Sequence, residues 1–163
     1  MTNRIAVVAG VAAVLLLVRL DAQSTHLGAL RPPQPPPHFS QTTWDSVYTT
    51  TQATRGESLY KVTCIKCHGP DLAGGDDGAP LAGTLFLGNW TGLPLNDLYE
   101  KMRTTMPSDS PKSVPPEQLI DILAHILAKN QFPAGVKLLT TDSMLLKDIK
   151  IQQNKPDTTR PPF

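Results

Sequence analysis

The chain has only two cysteines in 163 residues, and no second cluster of Cys and His accompanies them. A structural zinc site draws on four such ligands, so zinc lacks half its donors here. Charge is nearly balanced, at a formal net of +1, and no strong basic patch is present. That argues against nucleic acid as a partner. No apolar run reaches the roughly 20 residues that a spanning helix needs; residues 5–18 come nearest and stop at Arg19. Over 49–135 no segment alternates polar and apolar side chains as a strand does, and no internal repeat is evident. What remains is one small helical domain, in a chain 40% hydrophobic, with extra segments at both ends.

Both cysteines stand in Cys64-Ile65-Lys66-Cys67-His68. This is the pattern of covalent haem c attachment. On a helical turn, positions i and i+3 share a face and i+4 lies beside them, so Cys64, Cys67 and His68 address one planar object. The two sulfurs then join the haem vinyl groups as thioethers, and His68 presents an imidazole nitrogen to the iron. Two other uses of the pattern compete, a redox disulfide of the thioredoxin kind and half of a zinc site. The first needs a preceding strand and a surrounding sheet, whereas residues 51–66 read as helix. Haem is the favoured reading, with disulfide and zinc as its rivals.

The N-terminus carries Arg4 and then the apolar run 5–18, the n-region and h-region of a signal peptide over 1–22. A cut after Ala22 leaves Leu20 at the −3 position, where a small residue is preferred, so retention as an N-terminal anchor is the alternative. Either outcome exports the domain, and this anchor is its one expected tie to a membrane. Residues 23–48 form a linker with Arg31-Pro-Pro-Gln-Pro-Pro-Pro-His38 at its centre, a run that favours extended polyproline II. The domain proper spans 49–135. Residues 136–163 form an extension, polar and proline-rich from 152 onward and expected to be partly disordered.

Within the domain, Thr49 and Gln52 fit a capping box that opens a first helix running toward the haem motif. Gly56, Tyr60 and Cys64 lie along one stripe of it. A second helix covers 116–129, with Pro116 in the first turn and Leu119, Ile122, Leu123, Ile126 and Leu127 at helical spacing. Pro115 offers it no capping side chain. Residues 69–95, rich in Gly and Pro, read as loops around the ligand. A third helix is expected from 95 or 96 to 104. An all-α domain of this size has a thin core, which one large flat haem would fill.

A six-coordinate iron needs a second axial ligand. Met106, directly before Pro107, sits where a helix gives way to irregular chain and a thioether can be presented. Met102, one turn earlier, competes with it, although its place inside a helix favours core packing. Met144, among leucines, reads as a filler of hydrophobic contact. His26 and His38 fall in the linker, and His125 in the last helix reads as a surface or packing residue.

From Arg55-Gly56-Glu57 and Tyr60 through Cys64-Ile-Lys-Cys-His68-Gly69, Pro80-Leu81, Gly83, Phe86, Trp90 and Thr105-Met106-Pro107 to the final helix, the chain resembles the class I c-type cytochromes. More narrowly, it is similar to the single-haem modules that accompany bacterial quinoprotein dehydrogenases. The resemblance implies an all-α cytochrome c fold of three or more helices around one haem c, held covalently by Cys64 and Cys67. It implies His68 and Met106 as iron ligands and the carbonyl of Pro80 as acceptor for the other N–H of His68. It also implies that Gly56 and Tyr60 cross the final helix at 123–127, and that the domain works in the periplasm. Two filled axial positions imply an electron carrier rather than an enzyme. Its partners would be a dehydrogenase, a terminal oxidase or both. The alternatives are a dedicated acceptor subunit of a dehydrogenase complex and a haem-based sensor or peroxidase.

Overall fold

Thr49 holds an extended backbone, and its hydroxyl accepts a hydrogen bond from the Gln52 amide at 3.2 Å while the Gln52 side chain accepts from Thr49 N at 3.3 Å. This reciprocal cap satisfies two donors that a helix start would otherwise leave bare. It opens helix α1, Thr50–Thr63, where the sequence marks it. The computed structural model describes residues 39–157; the expected signal peptide or anchor, the proline run of the linker, and residues 158–163 lie outside them.

Five further helices follow: the single turn α2 (Ile65–His68), α3 (Gly83–Trp90), α4 (Leu95–Thr105), α5 (Pro116–Lys129) and the short α6 (Ser143–Lys147). Helix α5 begins at Pro116 as expected, and in place of a side-chain cap the Pro115 carbonyl accepts from both Gln118 N and Leu119 N at 3.0 Å. Every residue of α5 from Leu119 to Leu127 is buried, Asp121 and His125 included. A helix covered on so much of its circumference forms the centre of the domain rather than a face of it.

Helix α1 packs directly on α5. At Gly56 the two backbones touch: an added Cβ would overlap the Asp121 carbonyl and stand 2.9 Å from Ile122 N. One turn on, Tyr60 is 1% exposed and its ring lies 5.4 Å from that of His125. At the rim of the crossing Arg55 grips Asp121 with both arms of its guanidinium, at 2.7 and 2.8 Å. The crossing therefore begins ahead of the expected 123–127 stretch. Closest approach falls where glycine leaves the backbone bare, whereas Leu123 and Leu127 are fully buried core residues.

Two expectations are corrected. Residues 69–95 are not all loop, because α3 occupies part of them. Gly83 and Gly88 weaken the helical signal there, yet Phe86 is buried, with its ring 6.4 Å from the tilted ring of Trp90 one turn later. The limits 49 and 135 are also too narrow for the packed unit. Strand β1 (Gln41–Thr42) pairs in parallel with β2 (Ile149–Lys150), Gln41 opposite Ile149. The Trp44 indole N–H donates to Gln152 O at 2.8 Å, and its ring meets the Phe132 ring edge-on. The amide of Gln52 holds the Leu139 backbone from both sides, at 2.8 and 2.9 Å. Thr43, Tyr48, Leu146 and Ile151 are all buried. Such flanks escape a periodicity test because each strand is two residues long and the apolar residues come singly. None of the helices among the described residues is long and apolar enough to cross a membrane.

Candidate haem site

Cys64 closes α1 and its carbonyl accepts from Cys67 N at 3.2 Å and His68 N at 3.0 Å, which winds α2 into one tight turn. Both thiols are free and half-buried. Burial first, and then the neighbouring Cys67, push the Cys64 thiol up to about 11. A thiol held protonated in this way is a poor match to disulfide exchange, which runs through a thiolate of lowered pKa. Among the described residues no group of three or more His, Cys, Asp or Glu could hold a metal ion, so zinc finds no ligand set there.

His68 is buried, and its Nδ1 lies 2.7 Å from the carbonyl of Ala79. A carbonyl can only accept, so Nδ1 carries the proton and Nε2 keeps a free lone pair. That fixed tautomer is what an iron ligand requires. The acceptor is Ala79 and not Pro80 as expected, although Pro80 lines the same cavity. The loop comes so close at Gly78 that a Cβ there would overlap the Cys67 carbonyl and stand 3.1 Å from His68 Nδ1. The next carbonyl along, that of Ala79, is therefore the one delivered to the imidazole. Tyr60 supports the turn from the α1 side, its hydroxyl donating to Gly69 O at 2.6 Å.

Cys64, Cys67, His68 and Met106 all line one cavity of about 380 Å³, walled by apolar residues that include Trp90 and Ile122. Its volume is that of a cofactor pocket. Met106 caps α4 on extended backbone, and Met102, 8% exposed, opens on the same space from within the helix. Two thiols, an imidazole of fixed tautomer and thioether sulfur in one apolar space are a donor set that fits haem c. Met144 is not the filler expected of it: it is 71% exposed, because α6 turns Leu146 inward instead. His125 packs on Tyr60 and is not among the cavity residues; His26 and His38 lie outside the described residues.

Sequence reading misses Ala79 and also Asn130, the buried cap of α5. An Asn just past a helical repeat signals a cap. Nothing local tells which distant backbone its side chain bonds.

The family model of cytochrome c oxidase, cbb3-type, subunit III matches residues 51–126. No curated protein matches the chain. Among solved structures, the crystal structure of the sulfane dehydrogenase SoxCD from Paracoccus pantotrophus is similar at 21% identity and a TM-score of 0.41, over 55% of this chain and 53% of that one. The chain thus spans about half the length of the chain it matches there. With the attachment motif seated in an apolar cavity of a mostly helical domain and the family match laid over residues 51–126 of it, that domain is a class I c-type cytochrome domain, an electron-transfer module.

Proposed function

We propose that the protein carries one electron at a time between exported redox enzymes, holding a single haem c through Cys64 and Cys67 with His68 and Met106 on the iron. The observation that carries this reading is the convergence of those four residues on one cavity. Haem c supplies the reversible one-electron chemistry. The chain's own residues tether, orient and shield. His68 offers Nε2 because Ala79 occupies Nδ1. Met106 offers its thioether from extended backbone, where its direction is not dictated by a helix, while Met102 packs from the helix wall. With His68 and Met106 both holding the iron, no position would be left open for a substrate, which favours a carrier over a sensor or peroxidase.

Around the cavity stand Lys66, Lys101, Asp77 and Asp109, with Lys66 3.6 Å from Asp109. Charge so evenly mixed provides little long-range steering, so partners would be selected by local fit. The described parts of both flanking segments are bonded to their own domain through Trp44, Gln52 and the β1–β2 pair. This favours a shuttle over a dedicated dehydrogenase subunit that would use those segments as docking arms. We place the domain in the periplasm, delivered by residues 1–22.

The test is a thioether-to-iron absorption band in the near infrared of the oxidised protein. It is expected in the wild type and lost in Met106→Ala; its absence from the first or survival in the second overturns the ligand assignment. Haem that resists acid acetone in the wild type but is extracted from the double variant Cys64→Ala, Cys67→Ala supports the tether.

A further inference from the structure

We infer that Asn130 is a positioning residue for the iron ligand His68, acting through the loop that carries the Ala79 carbonyl. The inference rests on the haem reading above. Asn130 lies at the far end of α5, 8% exposed, and its amide makes three hydrogen bonds. Nδ2 donates to Leu81 O and to Ile126 O, each at 2.9 Å, and Oδ1 accepts from Gly83 N at 3.1 Å. Ile126 belongs to α5 itself, so the amide rivets the loop at Leu81 and Gly83 onto the central helix.

From Leu81 the restraint reaches His68 through one residue. Pro80 stands between Leu81 and Ala79, with its φ locked by its ring and Ala79 confined to extended backbone before it. Little torsional freedom therefore separates the pinned Leu81 carbonyl from the Ala79 carbonyl that His68 meets at 2.7 Å. On the inner side the loop is tied at Leu72, whose carbonyl accepts from Leu81 N at 2.8 Å and Ala82 N at 3.2 Å. Leu72 is itself loop, and Asn130 connects this tie to the central helix. The loop has no ladder to hold it, and a side-chain amide performs that task.

The consequence concerns iron rather than stability alone. A hydrogen bond from Nδ1–H to a carbonyl makes the imidazole a stronger donor, and partners of this kind typically alter a metal site 10- to 100-fold when removed. Releasing the loop weakens that bond, makes His68 a poorer donor, and destabilises the oxidised iron relative to the reduced.

The experiment uses the haem-loaded full chain in wild-type, Asn130→Leu and Asn130→Ala forms. Asn130→Leu keeps most of the side-chain volume and removes all three hydrogen bonds without adding charge, and is the milder change. Two quantities are read: hydrogen exchange of the His68 Nδ1–H by proton NMR of the reduced protein, and the midpoint potential. Both variants are expected to exchange this proton at least about tenfold faster, and to shift the potential upward by about a tenfold change in the oxidised-to-reduced ratio, 59 mV for a one-electron couple. Gln52→Leu, which breaks the buried bonds to Leu139 in the flanking extension, serves as a destabilised control whose potential stays put. Asn130 variants that lose stability while keeping wild-type exchange and potential overturn the inference. A wild type without covalent haem or without the near-infrared band overturns the haem reading itself, and shows this before any variant is compared.

Discussion

Gly56→Ala adds one methyl group at the point where α1 and α5 have no room for it. The new carbon overlaps the Asp121 carbonyl and stands 2.9 Å from Ile122 N, and both obstacles are backbone within a buried helix. Carbon atoms rest about 3.5–4.0 Å apart, so the helices must part by about 1 Å or more. A gap of that size forfeits a quarter to a half of the dispersion energy of each contact across it. Overpacking of a core typically costs about 1–3 kcal/mol, and a rigid obstacle puts this site at the upper end, about 3 kcal/mol. Alanine returns about 1 kcal/mol through its better helix propensity. The net loss is about 2 kcal/mol. With a urea slope of about 2 kcal/mol per M, the midpoint of unfolding falls by about 1 M. The assay is equilibrium urea unfolding of the haem-loaded chain, followed by far-ultraviolet circular dichroism. A midpoint equal to or above that of the wild type would falsify the claim that bare backbone at Gly56 sets the crossing.

The same substitution at Gly88 is expected to act in the opposite sense: that residue sits exposed in α3 with nothing within 4 Å of an added Cβ, so Gly88→Ala raises stability by about 0.5–1 kcal/mol in the same urea assay. His125 has its pKa lowered, by burial first and then by Lys129 and Lys61 against Glu57, with the Tyr60 ring tilted against it at 5.4 Å. The unfolded chain then binds more protons than the folded one below about pH 6.5, so stability is full above that pH and falls as the pH drops from there toward the folded pKa. Urea midpoints at about pH 5 and 7 measure this slope, and His125→Phe is expected to flatten it; an unchanged slope in that variant assigns it elsewhere. Tyr60→Phe removes the 2.6 Å bond to Gly69 O and lowers stability by about 1 kcal/mol, with covalent haem retained. Loss of haem attachment in that variant would mean that the hydroxyl shapes the motif rather than steadying it.

Much of the frame was legible because its causes are local. The Thr49 and Gln52 cap, the apolar repeat of α5 and the Cys64, Cys67 and His68 spacing each act within a turn or two of helix. The remainder depends on residues far apart in sequence. Phe86 and Trp90 make a helix of a glycine-containing stretch only because a core receives Phe86. Trp44 and Gln152 meet across 108 positions, and Asn130 meets Leu81 across 49. Which carbonyl faces His68 is decided by how closely Gly78 approaches Cys67, a distance that no periodicity encodes. The resemblance to cytochromes therefore carried the reader to the correct loop and to the wrong carbonyl.

The parallel pairing of β1 with β2 also has a mechanical side. One strand enters the fold at Gln41 and the other leaves at Lys150, running in the same direction. Tension applied between the two ends of the chain draws parallel neighbours past each other, so their hydrogen bonds are loaded together, in shear, instead of being peeled one after another. The Trp44 bond to Gln152 O, the Gln152 N–H bond to the Thr43 hydroxyl and the bond between the Ser40 hydroxyl and Asp148 lie beside the pair and share that load. A tug on either end is thus resisted by this clasp before any force reaches the helices that surround the cavity.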